Sequence, residues 1–186
     1  MGVDLLSALD ASNASLERTL RAAVDDGWSN PSPCEGWTVR DVAQHIVGGA
    51  VRYRILLDGG GEAELAPTRT EDQLGDDPVG SNAAKVAALM TAVRAADLQA
   101  PVRHPNGLRT GEQLLNLRVM EATVHGWDIA TGAGHDPDLD DAVCAYVLAH
   151  FDDMGDVGGF FGPSVDGPAG APLAALLAQT GRSQPA

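Results

Sequence analysis

The sequence predicts an all-α domain: a four-helix bundle with further short helical segments toward its C-terminal end. Three observations carry that expectation. Four long segments repeat apolar residues at helical rather than strand spacing. Two of them open on a Thr with an acid or amide three residues later, the pattern of a capping box. Pro, Gly and Ser cluster between these segments rather than within them. With 186 residues and 44% hydrophobic content the chain can bury a core, and its length fits one domain better than two.

The first helix is expected over residues 3 to 27, where Leu5, Leu9, Leu16, Leu20 and Ala23 fall at mostly helical spacing and Ser12 and Asn13 weaken the middle. SNPSPCEGW cannot prolong it, because Pro31 and Pro33 lack the amide protons of a helix interior. Thr38 opens the second helix. Its hydroxyl can accept an amide proton near Asp41, whose carboxylate can reach back, while Trp37 and Val42 occupy hydrophobic-staple positions. Val42, Ile46, Tyr53 and Leu56 form the apolar stripe, with His45 and Gly49 at its margin. Residues 58 to 79, rich in Gly, Pro and acids, make a connection long enough to cross the end of a bundle or cover a site.

A third helix follows from about Ser81 to Asp97, packing Val86, Leu89, Met90 and Val93. PVRHPNGLRTG carries the Asn106-Gly107 turn signal, so a short hairpin or an irregular excursion is expected before helix four. Thr110 with Gln113 gives helix four its own capping box. That helix places Leu114, Leu117, Glu121, Val124, His125 and Asp128 along one broad face, and Gly132 and Gly134 act as its breakers. A fifth helix is expected from about Leu139 to Asp152 and a short sixth over Pro172 to Gln179. The glycine-rich stretch between them, with Phe160 and Phe161, is expected to pack back over the bundle. Residues 155 to 186 hold too little continuous apolar sequence for a core of their own, so they read as an extension of the bundle formed by residues 1 to 154.

The formal net charge is -14, and between Arg118 and Arg182 ten Asp or Glu occur with no Lys or Arg. Phosphate backbones and anionic membranes need positive charge, which argues against nucleic acid and lipid surfaces as partners. Cys34 and Cys144 form neither a metal-ligand spacing nor a disulfide framework, which favours a reduced cytoplasmic setting. No signal-peptide pattern and no stretch of ~18 apolar residues is present.

The residues with the most chemistry are His45 in DVAQHIVGG, and Glu121 with His125 in EATVHGWDIA. Glu121 and His125 lie one helical turn apart on the same face. With His45 arriving from another helix they make a two-His, one-carboxylate set that can hold a divalent metal and leave a position open for water or substrate. Zinc suits these donors, and nickel, cobalt, iron and manganese share them. The bland alternative is a Glu121–His125 hydrogen bond across one turn, but a carboxylate in a core stripe needs an ion, a proton or a metal. Asp128 could orient the second ring nitrogen of His125. Asp41 is explained by its cap and stays outside the ligand set. Trp127 and Cys34 read as core packing, Cys144 likewise, and His104, His135 and His150 as solvent-exposed or locally bonded, with His104 alone placed to approach a substrate.

These motifs give the chain a resemblance to the metal-binding domain of mycothiol-dependent maleylpyruvate isomerases, within the DinB-like superfamily. It runs from PCEGWTVRDVAQHIVG through EATVHGWDIATG to LLAQTGR. The resemblance implies a DinB-like four-helix bundle and a divalent metal, usually zinc, with the ligand roles carried onto His45, Glu121 and His125. It also implies mycothiol as the thiol that such a metal would favour as thiolate, so that no catalytic cysteine is required of the protein. Isomerase members continue into a further small C-terminal domain, whereas this sequence ends after a short tail, so the resemblance carries metal binding better than it carries maleylpyruvate as substrate. The functional expectation is a metal-assisted, thiol-dependent transferase or isomerase acting on a small electrophile. A metal-dependent hydrolase and a non-catalytic, stress-associated metal-binding protein are the alternatives, and either a monomer or a homodimer is compatible with the sequence.

Overall fold

A computed structural model describes residues 2–23, 27–154, 157, 161–165 and 170–183. Four long helices make the bundle: α1 (Leu5–Ala23), α2 (Val39–Leu57), α4 (Pro78–Ala95) and α5 (Gly111–Ala133). Between α2 and α4 the chain forms a one-turn helix, α3 (Glu62–Leu65), and a 3₁₀ turn (Pro67–Arg69). The antiparallel pair β1 (Pro101–His104) and β2 (Gly107–Thr110) precedes α5, while α6 (Asp141–Ala149) and α7 (Pro172–Gln179) follow it. This is the expected DinB-like bundle with its hairpin.

Helix α1 packs on α5 and α4, and α2 packs on the same two, so α1 and α2 stand at opposite corners. Leu9, Leu114, Leu117 and Met120 belong to one buried cluster, while Leu16, Leu20, Val42, Ile46 and Ile129 belong to a second. Helix α7 packs on α6 and sends Leu176 into the first of these clusters.

Local chemistry accounts for the helix starts. At Thr38 the side chain accepts from the Asp41 amide at 3.2 Å, and the Asp41 carboxylate receives the Thr38 amide at 2.9 Å. Thr110 and Gln113 repeat the arrangement at α5. Helix α4 begins three residues before the expected Ser81, because Pro78 costs nothing in a first turn and Asp77 caps it, accepting from Gly80. Helix α6 is shorter than the expected Leu139 to Asp152: it starts after the Asp140 cap, ends at Ala149, and a separate 3₁₀ turn covers Asp152–Met154. Gly134 is the left-handed C-cap of α5, at φ 79°. Gly132 is no breaker; it lies within α5, where a Cβ would come 2.6 Å from Val39 Cγ2 and 3.0 Å from the Pro31 carbonyl oxygen. Its bare Cα therefore lets the segment after Pro31 lie directly on α5.

The expectation that α5 buries a single face needs correction, since 18 of its 23 residues are buried. Helices α1 and α2, α6 and the hairpin surround it. A helix buried all round yet carrying Asn116, Arg118, Glu121, Thr123, His125 and Asp128 must find partners for those groups. Most are bonded: the Tyr146 hydroxyl donates to Asn116 at 2.6 Å, Thr123 donates to the Val119 carbonyl at 2.8 Å, and Arg118 donates to the Ile46 carbonyl at 2.9 Å. The rest gather at one place.

Candidate metal centre

His45 stands midway along α2, while Glu121 and His125 stand one turn apart on α5. All three line one cavity of ≈ 590 Å³. The rings of His45 and His125 meet edge to face with centroids 5.2 Å apart. Glu121 is buried and accepts a hydrogen bond from the Tyr53 hydroxyl of α2 at 2.9 Å, which turns its carboxylate toward α2. Burial pushes the Tyr53 phenol well up, so it stays a donor. Arg118 lies beyond, fully buried, its guanidinium carbon 6.0 Å from the Tyr53 ring centre and its Nε and Nη2 without hydrogen-bond partners among the described residues.

Each imidazole is prepared differently. Burial lowers His45 to about 4, against the weaker opposing pull of Glu121, so its ring is neutral at physiological pH and keeps a lone pair. His125 Nδ1 lies 2.9 Å from Asp128 Oδ2, one turn further along α5, so Asp128 takes the orienting position expected of it. A carboxylate there fixes Nδ1 as the protonated nitrogen and leaves Nε2 as the free donor.

Asp128 is the hub of the cavity's far wall. Completely buried, it accepts Nε of Arg182 at 3.0 Å on one oxygen and Nη2 at 2.8 Å on the other, and the Cys34 thiol at 3.2 Å. Burial alone would raise its pKa, but the bonds from His125 and Arg182 outweigh it and hold the carboxyl below the usual range. The same burial, together with the Asp128 charge, pushes the Cys34 thiol up to about 12. Arg182 in turn lies over the Phe161 ring, 4.9 Å from its centre, and Phe161 faces His125 at 5.7 Å.

Cys34, His125 and Asp128 bring donor atoms within 4.8 Å of one another and form a candidate metal-ligand cluster. Its cationic position is already supplied by a guanidinium, since Arg182 Nη2 sits 2.8 Å from Asp128 and 3.4 Å from Cys34 Sγ. A metal on those three donors would face that positive charge directly. His45 and Glu121 line the same cavity as His125 but are not part of that cluster.

Cys34 packs against the second buried cluster, as the sequence suggests, but only half-buried, and it also forms part of the cavity wall. The loop that carries it is held by Ser32 N to Trp37 O, Val39 N to Asn30 O and a Cys34–Trp37 turn, in which Gly36 takes the φ of 78° that position requires. Trp37, expected at a staple position, is 40% exposed, and its ring stands edge-on to His45 at 5.3 Å. Trp127 is core, as expected. His150 pairs locally with Asp153, and His104 accepts the Asn106 amide within the hairpin, away from this cavity's lining. Phe161 packs back onto the bundle as anticipated, while Phe160 lies outside the described residues. Arg182 was missed altogether, although a lone cation after a long acidic stretch was a signal that an acid awaited it.

Comparison with known proteins places these residues in context. The family described as Mycothiol maleylpyruvate isomerase N-terminal domain matches residues 9–130. Uncharacterized protein Rv0738 of Mycobacterium tuberculosis strain H37Rv, and its counterpart MT0763 in strain CDC 1551, are each 27% identical over 136 residues, 73% of this chain and 69% of theirs. Among solved structures, the mycothiol-dependent maleylpyruvate isomerase superposes with a TM-score of 0.58 at 20% identity, over 80% of this chain and 69% of that one. A histidine-to-alanine mutant of the same enzyme gives 0.59. At that identity the likeness is one of fold. No helix among the described residues is long and apolar enough to cross a membrane.

Proposed function

Because the chain belongs to the mycothiol maleylpyruvate isomerase N-terminal domain family, we propose that His45, Glu121 and His125 hold one divalent metal, zinc by preference, at the centre of a thiol-dependent transferase or isomerase. The observation that carries this reading is the state of the donors. Two imidazoles from different helices converge edge to face, one neutral through burial and the other with Nδ1 committed to Asp128, beside a buried carboxylate. Nitrogen and carboxylate donors of this kind fit zinc, and three protein ligands leave room for a fourth. A metal held there would supply the positive charge that favours the thiolate form of a small bound thiol, mycothiol being the one the family's description names.

The chain's own residues do the remaining work. Asp128 fixes the tautomer and angle of His125, and Tyr53 holds Glu121. Trp37 and Phe161 line the cavity and reduce the water around a reacting sulfur. Cys34, with its thiol pushed up to about 12, stays protonated as a donor to Asp128, so the attacking sulfur belongs to the cofactor rather than the protein. The sulfur adds to an electrophilic carbon; in a transferase the C–S bond persists, and in an isomerase it breaks again and returns the thiol.

Metal analysis of protein purified without added metal tests the ligand set: near-stoichiometric zinc in the wild type and near-complete loss in His125→Ala are expected, and equal content in both would end the assignment. Product formation from an electrophile that strictly requires added thiol supports transfer or isomerisation. Turnover without thiol would point to hydrolysis instead.

A further inference from the structure

Arg118 is completely buried on α5, one turn before Glu121, and nothing in the proposed chemistry uses it. Among the described residues it forms no ion pair with any Asp or Glu, and its Nε and Nη2 donate to nothing. Burial draws its pKa down from the usual value, and the charge of Glu121 is the strongest influence in the other direction. A guanidinium in that condition is a cost to the fold, because an apolar side chain of similar volume would leave no donor unpaired. Stability therefore gives no reason for an arginine at this position.

The bond that Arg118 does make crosses between helices. Nη1 donates to the carbonyl of Ile46 on α2 at 2.9 Å, and Ile46 directly follows His45. A carbonyl inside a helix has two lone pairs, of which the helical ladder uses one, so the guanidinium adds a bond without displacing another. The surface of α2 is bare where the guanidinium lies, since a Cβ on Gly49 would come 3.0 Å from Arg118 Nη1. Arg52 offers the contrast. Its Nη2 donates to the His45 carbonyl at 2.7 Å, but both residues belong to α2 and move together. Arg118 ties α2 to α5.

The Tyr53 hydroxyl on Glu121, at 2.9 Å, is a second tie between the same two helices. Ile46 and Tyr53 are about two turns apart on α2, while Arg118 and Glu121 are about one turn apart on α5. One bond between two helices is a pivot, whereas two bonds spaced along the axis resist sliding and rotation together. All three proposed metal donors come from these helices, and a metal site needs its ligands held within about 0.5 Å of the working geometry. A slip of α2 by a single residue's rise, about 1.5 Å, exceeds that tolerance. We propose that Arg118 is the positioning residue of the metal centre, fixing α2 beside His45 against the turn of α5 that carries Glu121. This rests on the ligand set proposed above. Arg118 acts through the Ile46 backbone rather than on the metal.

The test compares zinc affinity by chelator competition, the Co²⁺ absorption spectrum and metal-free melting in the wild type, Arg118→Met, Arg118→Lys and Gly49→Ala. Removing a positive charge would by itself tighten a dication, so weaker binding reads the lost tie. Arg118→Met is expected to weaken zinc about tenfold or more and to shift the Co²⁺ bands, which report ligand geometry, while the metal-free Tm holds within about 3 °C. Arg118→Lys, which can still donate to Ile46, is expected to recover part of the loss. Gly49→Ala presses on Nη1 from the α2 side yet improves helix propensity, so about threefold or more weaker zinc is expected without a lower Tm. Leu89→Ala, a cavity on α4 outside the site lining, is the reference for destabilisation alone and is expected to lower Tm and leave zinc affinity unchanged. Unchanged or tighter zinc in Arg118→Met, or a loss that Leu89→Ala reproduces, would overturn the proposal. If Arg118→Met does not fold, Arg118→Lys and Gly49→Ala decide it by the same comparison. A wild type that takes up no zinc would end the ligand set itself, which separates that failure from a failure of the tie.

Discussion

Asp128→Asn should cost far more than the loss of one hydrogen bond, because the aspartate is fully buried and its charge is matched by Arg182, whose side chain is 9% exposed. Removing one partner of a buried ion pair leaves the other desolvated and uncompensated, at about 3–5 kcal/mol. An unfolding entropy of about 2.1 cal/mol/K per residue, taken over this chain, makes 3 kcal/mol equivalent to a fall in Tm of ~8 °C. Circular-dichroism melts of chelator-treated protein at neutral pH provide the measurement, since without metal any effect through His125 ligation drops out. The cycle Asp128→Asn, Arg182→Gln and the double variant isolates the pair, with a coupling of about 2–3 kcal/mol expected. The pH dependence has a definite sign. Asp128 is held below the usual carboxylate range in the folded chain, so the unfolded chain binds the extra proton, and the pair's contribution is complete above a pH of about 4 and fades as pH falls through the lowered value. A Tm change under 2 °C, or strictly additive single variants, would refute the reasoning that these two charges sustain each other.

Three further outcomes are expected. Tyr53→Phe removes the donor that aims Glu121 and should weaken zinc binding 10–100-fold, as measured by chelator competition, with about 1 kcal/mol of lost stability; unchanged affinity would show that Glu121 needs no such guide. Ellman titration of the native protein at pH 8 should find both cysteines slow, since Cys144 is fully buried and Cys34 is pushed up to about 12, and should count two fast thiols in denaturant. Deleting residues 155 to 186 should lower the Tm of the bundle while the excised peptide shows no cooperative transition of its own, because α7 contributes Leu176 and Leu177 to buried packing and Arg182 to Asp128; a peptide melting on its own would mark a second domain.

What the sequence made legible was what it encodes over short distances. The caps at Thr38 and Thr110 each close within three residues, the hairpin falls where the Asn106-Gly107 signal lies, though its loop is Pro105-Asn106 and Gly107 already pairs with His104, and α7 spans the expected Pro172–Gln179. His45, Glu121 and His125 could be gathered into one hypothesis because two are helical neighbours and the third lies on a well-marked helix. The far wall was not legible in the same way. Cys34 meets His125 across 91 positions and Arg182 meets Cys34 across 148, and no periodicity reports such pairings. Helix α3 also escaped notice, because four residues capped through Glu64 and Gly61 leave no repeat to detect. The reading of α5 as one-faced failed for a related reason: a helix sheathed on every side by neighbours carries polar residues whose partners lie on those neighbours, and only the assembled bundle reveals them.

The clasp of Arg182 on Asp128 and Cys34 also orders events in time. A ribosome moving at roughly 5–20 residues per second makes His45, Glu121 and His125 several seconds before it makes Arg182. Helices α2 and α5 can thus meet while Asp128 still lacks its guanidinium partner. During that interval Asp128 bears a negative charge with no guanidinium on it. Arg182 then sets a fixed positive charge against that buried carboxylate, so the wall of the cavity is the part of the fold finished last.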